Sequence, residues 1–372
     1  MRAANIILQS LVHPSPIACK PFRGLRKFLG IRVSGLLWFL KRLMPPRLSV
    51  VMSVFNGEPW IEDCLASLAS QQLANYELII IDDGSTDASA SILQAHAERD
   101  SRIRLIVQRH QGLVAALNRG LKLASAPWVA RMDIDDLAVP SRFSAQLALA
   151  EQHPDVVCVG SGFLAIDAAS RVLATRRVPK SHSVLLDRLI TTRTCFPHAS
   201  ALFRRDLVIK LGGYRSCMHR AQDTDLWLRM AEQGLLAAVQ EPLLLIRQHG
   251  QQLSAGEGAR EQLVMGWAAV VCHVLRSQGL PDPLAGAAEQ LPALRQLIAD
   301  GLHRSGLSRV RSLKIGLKEL VCRPSWTASV SLLLTLAREL KHSPGLGLVL
   351  LAEGWASRRL AEQLAAEWIR LP

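Results

Sequence analysis

Short apolar runs alternate with amphipathic stretches over the first two-thirds of this chain. Residues 48–54 and 78–81 are apolar, uncharged and rich in β-branched side chains, which predicts two buried strands. Between them Ile61, Cys64 and Leu68 recur at helical spacing, which predicts an amphipathic helix with one buried face.

The same alternation continues along the chain. Strands are expected at 103–107, 128–132 and 156–159, with helices at 112–124 and 142–152. Strands separated by helices of this length form a parallel sheet that is covered by those helices. The pattern therefore predicts an α/β fold with a mostly parallel central sheet.

Acidic loops directly follow two of the predicted strands. Asp82 and Asp83 follow one strand, and Asp133, Asp135 and Asp136 follow another. Ligands of such sheets bind beyond the carboxyl ends of the strands. Carboxylates that are clustered and buried need a cation, and Mg²⁺ is bound through oxygen ligands. This edge is therefore a candidate metal and substrate site, although the cluster taken alone also fits a solvated loop.

A further pair of carboxylates lies near residue 224. Asp223 and Asp225 precede Leu226, Trp227 and Met230, whose spacing predicts a helix. Asp is a favoured residue at helix starts because its side chain accepts hydrogen bonds from free backbone N–H groups. A capping role and a chemical role are both consistent with this position.

The composition limits the classes of binding partner that are consistent with this chain. The formal charge of +13 and the pI near 10.0 favour an anionic partner. Aromatic residues make up only 5% and form no base-stacking run, which argues against nucleic acid. Neither a dinucleotide-binding glycine motif nor a P-loop is present. The seven cysteines contain no C-x-x-C pair, which indicates a reducing compartment without structural zinc or a disulfide framework.

The N-terminal segment, residues 1–46, is basic and ends at Pro45 and Pro46. The first 47 residues contain nine Lys or Arg and no acidic residue. Its apolar run at 31–40 is too short to span a bilayer, and no signal peptide is recognisable. The segment is predicted to be an amphipathic helix on an anionic membrane surface; a docked helix or a disordered tail is the alternative. We expect a cytoplasmic protein, with peripheral attachment to the cytoplasmic face of the membrane as an option.

Several of these segments resemble the inverting family 2 glycosyltransferases, which have the GT-A fold. The similar segments occur in the family's order at 49–56, 77–87, 130–136, 140–146, 212–215, 222–229 and 247–249. Together they cover roughly residues 47–255. The resemblance implies metal-dependent transfer of a sugar from a nucleotide-diphosphate donor to a glycan or lipid-linked acceptor in cell-surface polysaccharide synthesis. A non-catalytic membrane-surface protein on a degenerate GT-A fold is the alternative.

The resemblance also implies roles for individual residues. Asp223 matches the family's catalytic base, with Asp225 as the second choice. The candidate nucleotide-sugar-binding residues are Phe55, Asp83, Asp133 and Arg131. The candidate ligands of Mg²⁺ or Mn²⁺ are Asp135, Asp136 and His249. Whether Asp135 holds the ion alone or together with Asp136 stays open at this point.

The chain departs from the family pattern at two positions. Gln222 stands where relatives have Glu before the base, and Leu117 stands where many have an Arg. A leucine cannot contact phosphate, so that role falls to Arg119, to Arg131 or to no residue.

Beyond the family-like region, residues 256–372 are predicted to form a helical C-terminal extension. Apolar residues recur there at helical spacing over 264–275, 291–302 and 356–369. The apolar runs at 329–336 and 346–351 are too short to span a bilayer.

Overall fold

The computed structural model describes residues 45–249, 258–286, 288–305 and 353–371. In these residues a nine-stranded sheet is packed between helices. The strands are β1 (Leu48–Val54), β2 (Tyr76–Asp82), β3 (Ile103–Val107), β4 (Trp128–Asp133), β5 (Leu137–Ala138), β6 (Val156–Ile166), β7 (Val172–Arg176), β8 (Leu202–Arg204) and β9 (Leu235–Arg247).

Helices connect these strands and form the C-terminal part of the described chain. They are α1 (Ile61–Ala69), α2 (Ser89–Arg99), α3 (Leu113–Leu123), α4 (Arg142–Gln152), α5 (His182–Ile190), α6 (Arg205–Lys210), α7 (Gln222–Ala231), α8 (Gly258–Ser277), α9 (Leu291–Ser305) and α10 (Glu353–Ile369). Two 3₁₀ helices cover His198–Ser200 and Ala288–Gln290.

The order of strands across the sheet is β3-β2-β1-β4-β8-β6-β9-β5, with β7 paired to β6. Strands β3, β2, β1 and β4 run parallel to their neighbours, as do β6 and β9. Strand β8 joins the two parallel groups by antiparallel pairing with β4 and β6. The expected α/β fold is confirmed, and the two acidic loops follow the carboxyl ends of β2 and β4, the parallel strands on either side of β1.

Alternating side chains of β1 face opposite sides of the sheet, as the period of a strand requires. Val50 and Met52 belong to the apolar core that includes Phe143 of α4. Val51 belongs to the other core, which includes Leu117 of α3. Burial on both faces explains why the strand is a continuous apolar run instead of an alternating one.

The C-terminal helices pack onto the core that contains α7. Trp267 of α8, Leu294 of α9 and Leu364 of α10 are buried in the same apolar cluster as Trp227. The three α-helices that the structure describes beyond residue 256 therefore share this core with α7. The predicted N-terminal membrane helix and the apolar runs at 329–336 and 346–351 lie outside the described residues. Among the helices that are described, none has the length and apolar character needed to cross a bilayer.

Strand β9 was not predicted from the sequence. Its 13 residues are interrupted by Glu241 and Pro242, which break the apolar pattern that marks a strand. Pairing with β6 shifts register opposite Pro242, between Ser161 and Gly162 and again before Phe163. The irregular pairing accommodates the missing N–H of the proline, and the strand then continues to Arg247 beside the acidic loop.

Arg142 anchors the end of β4 by hydrogen bonds to backbone carbonyl groups. Its side chain is fully buried, and Nη2 donates to the carbonyl oxygens of Arg131 at 2.7 Å and Ala199 at 2.6 Å. Burial lowers the pKa of this guanidinium to about 10. Because a buried charge is retained only where it is well bonded, Arg142 ties the strand before the acidic cluster to the 3₁₀ turn that carries His198.

Candidate functional site

The loop after β1 is held against the loop after β2. Asn56 adopts a left-handed conformation with φ of 53°. Its backbone N–H donates to the Ser85 hydroxyl at 3.0 Å, and its side-chain oxygen accepts from the Thr86 N–H at 2.8 Å. These bonds fix the neighbouring Phe55, whose side chain is 46% exposed. The ring of His110 lies 4.3 Å from the Phe55 ring, so the two rings form an accessible aromatic surface.

Asp83 lies buried beside this surface. Its Oδ1 accepts hydrogen bonds from Gln108 Nε2 at 2.6 Å and from the Gln111 N–H at 2.9 Å. Its Oδ2 accepts from the Gly112 N–H at 2.8 Å and lies 3.0 Å from His110 Nδ1. The carboxylate therefore organises the 108–112 loop. A nucleobase N–H reaches it only by displacing a side chain of that loop, because both oxygens are already engaged.

The acidic loop after β4 brings three carboxylates together. Oxygens of Asp133, Asp135 and Asp136 lie within 4.8 Å of one another. Asp136 is almost fully buried, and its pKa is raised well above the ordinary value by burial and by the charges of Asp133 and Asp135. Like charges in a buried site disfavour ionisation of one another. The cluster thus has an unfavourable excess of negative charge.

The last residue of β9 and a residue just beyond the strand contact the acidic loop. The Arg247 N–H donates to Asp136 Oδ1 at 3.1 Å, and its Nε donates to the Asp135 carbonyl at 3.2 Å. Its guanidinium lies 4.6 Å over the ring of Trp60. His249, two residues on, lies with Nε2 2.9 Å from Asp135 Oδ2, and its ring stacks on Trp60 at 5.3 Å. The order of the acidic loop therefore depends on residues more than a hundred positions away.

The donors of this cluster fit a hard divalent cation. All three are carboxylates, which Mg²⁺ and Mn²⁺ prefer. The partly exposed Asp135 offers oxygen atoms to a ligand, whereas the buried Asp136 is bonded to the backbone of Arg247. His249 bonds Asp135, which is the arrangement of a group that orients a metal ligand. A bound cation would also relieve the excess negative charge that raises the pKa of Asp136.

Arg131 interacts both with the carboxylate cluster and with a second group of polar side chains, which are His198, Tyr214 and Asp223. It is buried and forms an ion pair with Asp133. Among the described residues its Nε has no hydrogen-bond partner. Burial raises the pKa of Asp223 and of Tyr214, and the charge of Arg131 partly opposes both increases. Burial and then the charge of Arg131 lower the pKa of His198, which keeps its ring neutral. Arg131 is thus a cation shared between the acidic loop and the start of α7.

Tyr214 and His198 form a bonded pair on which, as on Asp223, the charge of Arg131 acts. His198 Nε2 lies 2.8 Å from the Tyr214 hydroxyl. Asn118 of α3 fixes the Tyr214 backbone by accepting from its N–H at 2.9 Å and donating to its carbonyl at 2.7 Å. Gly213 allows this approach: its φ is 73°, and a Cβ there would lie 2.5 Å from Asn118 Oδ1.

Asp223 lies in the first turn of α7 and is partly buried. Its Oδ1 accepts from the Thr224 N–H at 2.8 Å. Burial raises the pKa of this carboxyl, and the Thr224 N–H and the charge of Arg131 partly offset the increase. The preceding Ala221 has φ of 52°, a left-handed conformation that is unfavourable for alanine. A partly buried carboxyl whose pKa is raised is a candidate for proton transfer.

Asp225, two residues further on, is not available to a substrate. It is fully buried and pairs with Arg215 at 3.1 Å and with Arg229 at 2.8 Å. Both of its oxygens accept from guanidinium groups. Because a base needs a free oxygen that reaches the substrate, Asp225 is a structural residue, and the choice between the two carboxylates falls on Asp223.

Several residues that shape the site were given no role by sequence reasoning. They are Trp60, Asn118, Arg142 and Arg247. Only Arg142 had a usable signal: it lies with Phe143, Gln146 and Leu147 on the buried side of α4. A charged residue on an otherwise inward face indicates a specific partner. Of the candidates for phosphate contact, Arg119 bonds Gln108 at 2.9 Å and Arg131 faces Asp133.

Comparison with known proteins identifies the class of the molecule. The family model described as Glycosyl transferase family 2 matches residues 49–212. EpsE of Bacillus subtilis (strain 168), a protein named as a glycosyltransferase, is 36% identical over 208 residues, which are 55% of this chain and 73% of EpsE. The amylovoran biosynthesis glycosyltransferase AmsE of Erwinia amylovora is 33% identical over 192 residues, 50% of this chain and 70% of AmsE.

A solved structure agrees with the fold. Residues 1–349 of S. aureus TarS, in complex with UDP-GlcNAc, match with a TM-score of 0.51 and 16% identity. The match covers 87% of this chain and 92% of that chain. At this identity the likeness concerns the fold alone, which is the GT-A fold expected from the sequence.

The fold and these relatives define a glycosyltransferase. The chain belongs to glycosyl transferase family 2.

Proposed function

We propose that this protein is an inverting, metal-dependent glycosyltransferase that uses a nucleotide-diphosphate sugar. One observation carries the proposal: the buried Arg131 forms an ion pair with Asp133 of the three-carboxylate cluster, and its charge also acts on Asp223, a partly buried carboxylate in the first turn of α7. The carboxylate cluster could bind a divalent metal ion beside the donor diphosphate. Asp223 could accept the proton of the acceptor hydroxyl. A degenerate, non-catalytic fold would have no reason to keep both groups.

Asp135 and Asp136 would hold Mg²⁺ or Mn²⁺, with Asp133 beside them and His249 orienting Asp135. When bound, such a cation supplies positive charge that stabilises the diphosphate leaving group. Arg247 and Trp60 keep the loop in this arrangement.

Asp223 would take the proton from the acceptor hydroxyl as its oxygen attacks the anomeric carbon. The bond from that carbon to the diphosphate breaks on the opposite face of the sugar, which inverts the configuration. Burial raises the pKa of Asp223, and the Thr224 N–H and the charge of Arg131 partly offset this increase because both favour the carboxylate. The neutral His198 and Tyr214, which bond each other, contribute hydrogen-bonding groups without further charge.

The donor nucleotide would bind at the loops after β1 and β2. The rings of Phe55 and His110 offer a surface on which a base can stack. Asp83 is the candidate acceptor for the base N–H, reached when the Gln108 or His110 side chain moves aside. Asp133 is the candidate ribose contact, and its partner Arg131 is the candidate phosphate contact.

The acceptor is proposed to be a growing polysaccharide or its lipid-linked precursor. The names of two relatives support this: AmsE is named for amylovoran biosynthesis, and WbnJ of Escherichia coli, 28% identical over 184 residues, for O-antigen biosynthesis. The GT-A domain would occupy residues 47–255, and the helical extension residues 256–372.

Donor binding is expected to raise the melting temperature only in the presence of a divalent cation. The test is a thermal-shift screen of UDP-, GDP- and dTDP-sugars with Mn²⁺, with Mg²⁺ and with EDTA. A donor at 100 times its Kd adds about 2.7 kcal/mol to stability, which is several degrees for a domain of this size. If no nucleotide sugar shifts the melting temperature with either metal, the degenerate-fold alternative is favoured.

Activity is expected to fall on acidification at a pH above the range of an ordinary aspartate, about 3.9. The base must be ionised, and burial raises the pKa of Asp223, so protonation removes the base earlier as the pH falls. The same shift means that the stabilisation linked to this group is present at low pH and is lost as the pH rises through the folded-state pKa. The pH dependence of kcat/KM for donor hydrolysis measures the acid limb. A limb at or below the ordinary aspartate range would contradict the assignment.

Attachment to the cytoplasmic face of a membrane is proposed for the N-terminal segment. The nine basic residues of the first 47 support it. Deleting residues 1–44 is expected to move the protein from the membrane fraction to the soluble fraction on cell fractionation. An unchanged membrane fraction would show that other residues provide the attachment.

A further inference from the structure

Helix α7, which carries Asp223, is anchored at its start by a buried ion pair. Asp225 accepts from Arg229 Nε at 3.0 Å and from Arg215 Nη1 at 3.1 Å. Arg229 also donates to the carbonyl oxygens of Leu211 and Gly213, both at 2.8 Å. The first turn of α7 is thereby tied to the loop that carries Tyr214.

The ion pairs that anchor the start of α7 continue beyond the family-like region, residues 47–255. Arg215 is also paired with Asp282, which lies in the loop after α8. Asp282 is nearly buried, with 5% of its side chain exposed, and is bonded in turn by Arg276 of α8. Burial by itself would raise the pKa of Asp282, but the hydrogen bond and charge of Arg215, with the charge of Arg276, lower it to about 2. The carboxylate is ionised and engaged from both sides.

The other end of α7 is held by the same helix of the extension. Glu232, the residue after α7, accepts from Arg276 Nε at 3.0 Å and Nη2 at 2.8 Å. His273 of α8 lies 2.6 Å from the same carboxylate. Arg276 therefore joins the two ends of α7, through Glu232 at one end and through Asp282 and Arg215 at the other.

The start of α7 needs such support. Ala221 precedes it in a left-handed conformation that alanine adopts at a cost, and such conformations persist only where surrounding contacts hold them. The matched family region, residues 49–212, contains neither α7 nor Asp282 and Arg276. The contacts that hold the helix are thus partly supplied by residues of the extension.

We propose that Asp282 and Arg276 are positioning residues for Asp223, so that the helical extension completes the catalytic centre. This inference rests on the proposed role of Asp223 as the base. The extension acts through Arg215 and Asp225 on the orientation of the first turn of α7. It makes no contact with the donor loops after β1 and β2 through these residues.

The test is Asp282→Asn in the full-length protein. Turnover is measured as hydrolysis of UDP-, GDP- and dTDP-sugars, in which water takes the place of the acceptor and its proton goes to Asp223. We expect kcat to fall between about tenfold and 100-fold, since small misplacements of a catalytic group have effects of this size. The Kd of the released nucleoside diphosphate with Mn²⁺ should stay within about twofold.

The matched control is Glu367→Gln. Glu367 lies on α10 and pairs with Arg304 of α9 at 2.6 Å, so this change breaks an ion pair of the extension that does not touch α7. Its kcat should stay within about twofold of the unmodified protein. If Asp282→Asn lowers kcat no more than Glu367→Gln, or only in proportion to its unfolded fraction by circular dichroism, the proposal is overturned.

Arg276→Gln keeps the test decisive if Asp282→Asn does not fold. It removes the links to Asp282 and Glu232 but leaves Arg215 paired with Asp282. Hydrogen exchange of the amides in the first turn of α7 should be faster in this variant than in Glu367→Gln. Equal exchange in the two variants would show that the extension does not position α7.

A failure of the base assignment is distinguishable from a failure of this proposal. If Asp223→Asn retains full hydrolysis, the base is wrong, while the exchange experiment still reports whether the extension holds α7. If Asp223 is the base, adding Asp282→Asn to Asp223→Asn should cause no further loss of kcat. A further tenfold loss in the double variant would show that Asp282 acts by another route.

Discussion

Replacing Asp223 by Asn is expected to lower the rate of sugar transfer by about 10²–10⁴-fold, the usual contribution of a general base. Asparagine keeps the size of the side chain and can still accept from the Thr224 N–H through its oxygen. It cannot take a proton from the acceptor. The Kd for nucleoside diphosphate with Mn²⁺ should therefore change by no more than about twofold, because the donor loops are untouched.

Asp206→Asn is the matched control for this change. Asp206 lies in the first turn of α6, and its Oδ1 accepts from the next backbone N–H at 2.8 Å, just as Asp223 accepts from Thr224. It is exposed and remote from the acidic cluster. If both variants lose activity equally, or neither does, Asp223 has the local helix-start role that its sequence position also allows.

Replacing Asp135 by Asn is expected to remove metal-dependent donor binding and to lower turnover by about 10²-fold or more. Metal ions contribute several kcal/mol of charge stabilisation in such reactions, and each 1.4 kcal/mol is about tenfold in rate. Asp135 is a partly exposed ligand candidate whose orientation is fixed, since His249 bonds its Oδ2. Thermal shift with UDP-, GDP- and dTDP-sugars, with and without Mn²⁺, measures the binding.

Asp63→Asn controls for loss of a nearby negative charge. Asp63 is exposed and pairs with Arg247 at 3.2 Å, yet it does not belong to the carboxylate cluster. It should bind donor and metal nearly as the unmodified protein does. A variant Asp135→Asn that still shows the full Mn²⁺-dependent shift would assign the ion to Asp133 and Asp136.

The strands that deliver the acidic loops were predictable because their burial requires continuous apolar runs. Strands β1, β2, β3 and β4 appear where the pattern placed them, within one or two residues. Strand β9 could not be predicted, because Glu241 and Pro242 interrupt its pattern and its pairing with β6 is irregular. That strand ends at Arg247, and His249 follows it by two residues, so these contacts to the acidic loop could not be predicted from periodicity.

The identity of the chemical groups followed from the sequence, whereas their availability did not. Asp83 is buried with both oxygens engaged, and Asp225 is enclosed by Arg215 and Arg229. The partners of Asp83 are 25 or more residues away, at 108–112. Arg229 lies only four residues from Asp225, but the spacing does not show that Arg215 encloses the same carboxylate in a buried site. By residue type alone Asp223 and Asp225 are equivalent carboxylates at the start of one helix, and only the family resemblance preferred Asp223.

The sequence by itself determined the α/β class, the family and the carboxylates at the edge of the sheet, because apolar period and residue type are local properties. Only the tertiary structure decided which carboxylate has an oxygen available to accept a proton and which residues position that carboxylate. Arg131 faces Asp133 and influences Asp223, and Asp282 reaches α7 from the extension, because folding brings together charges that are far apart in the chain. The strength of such contacts depends on burial and distance, which no local pattern contains.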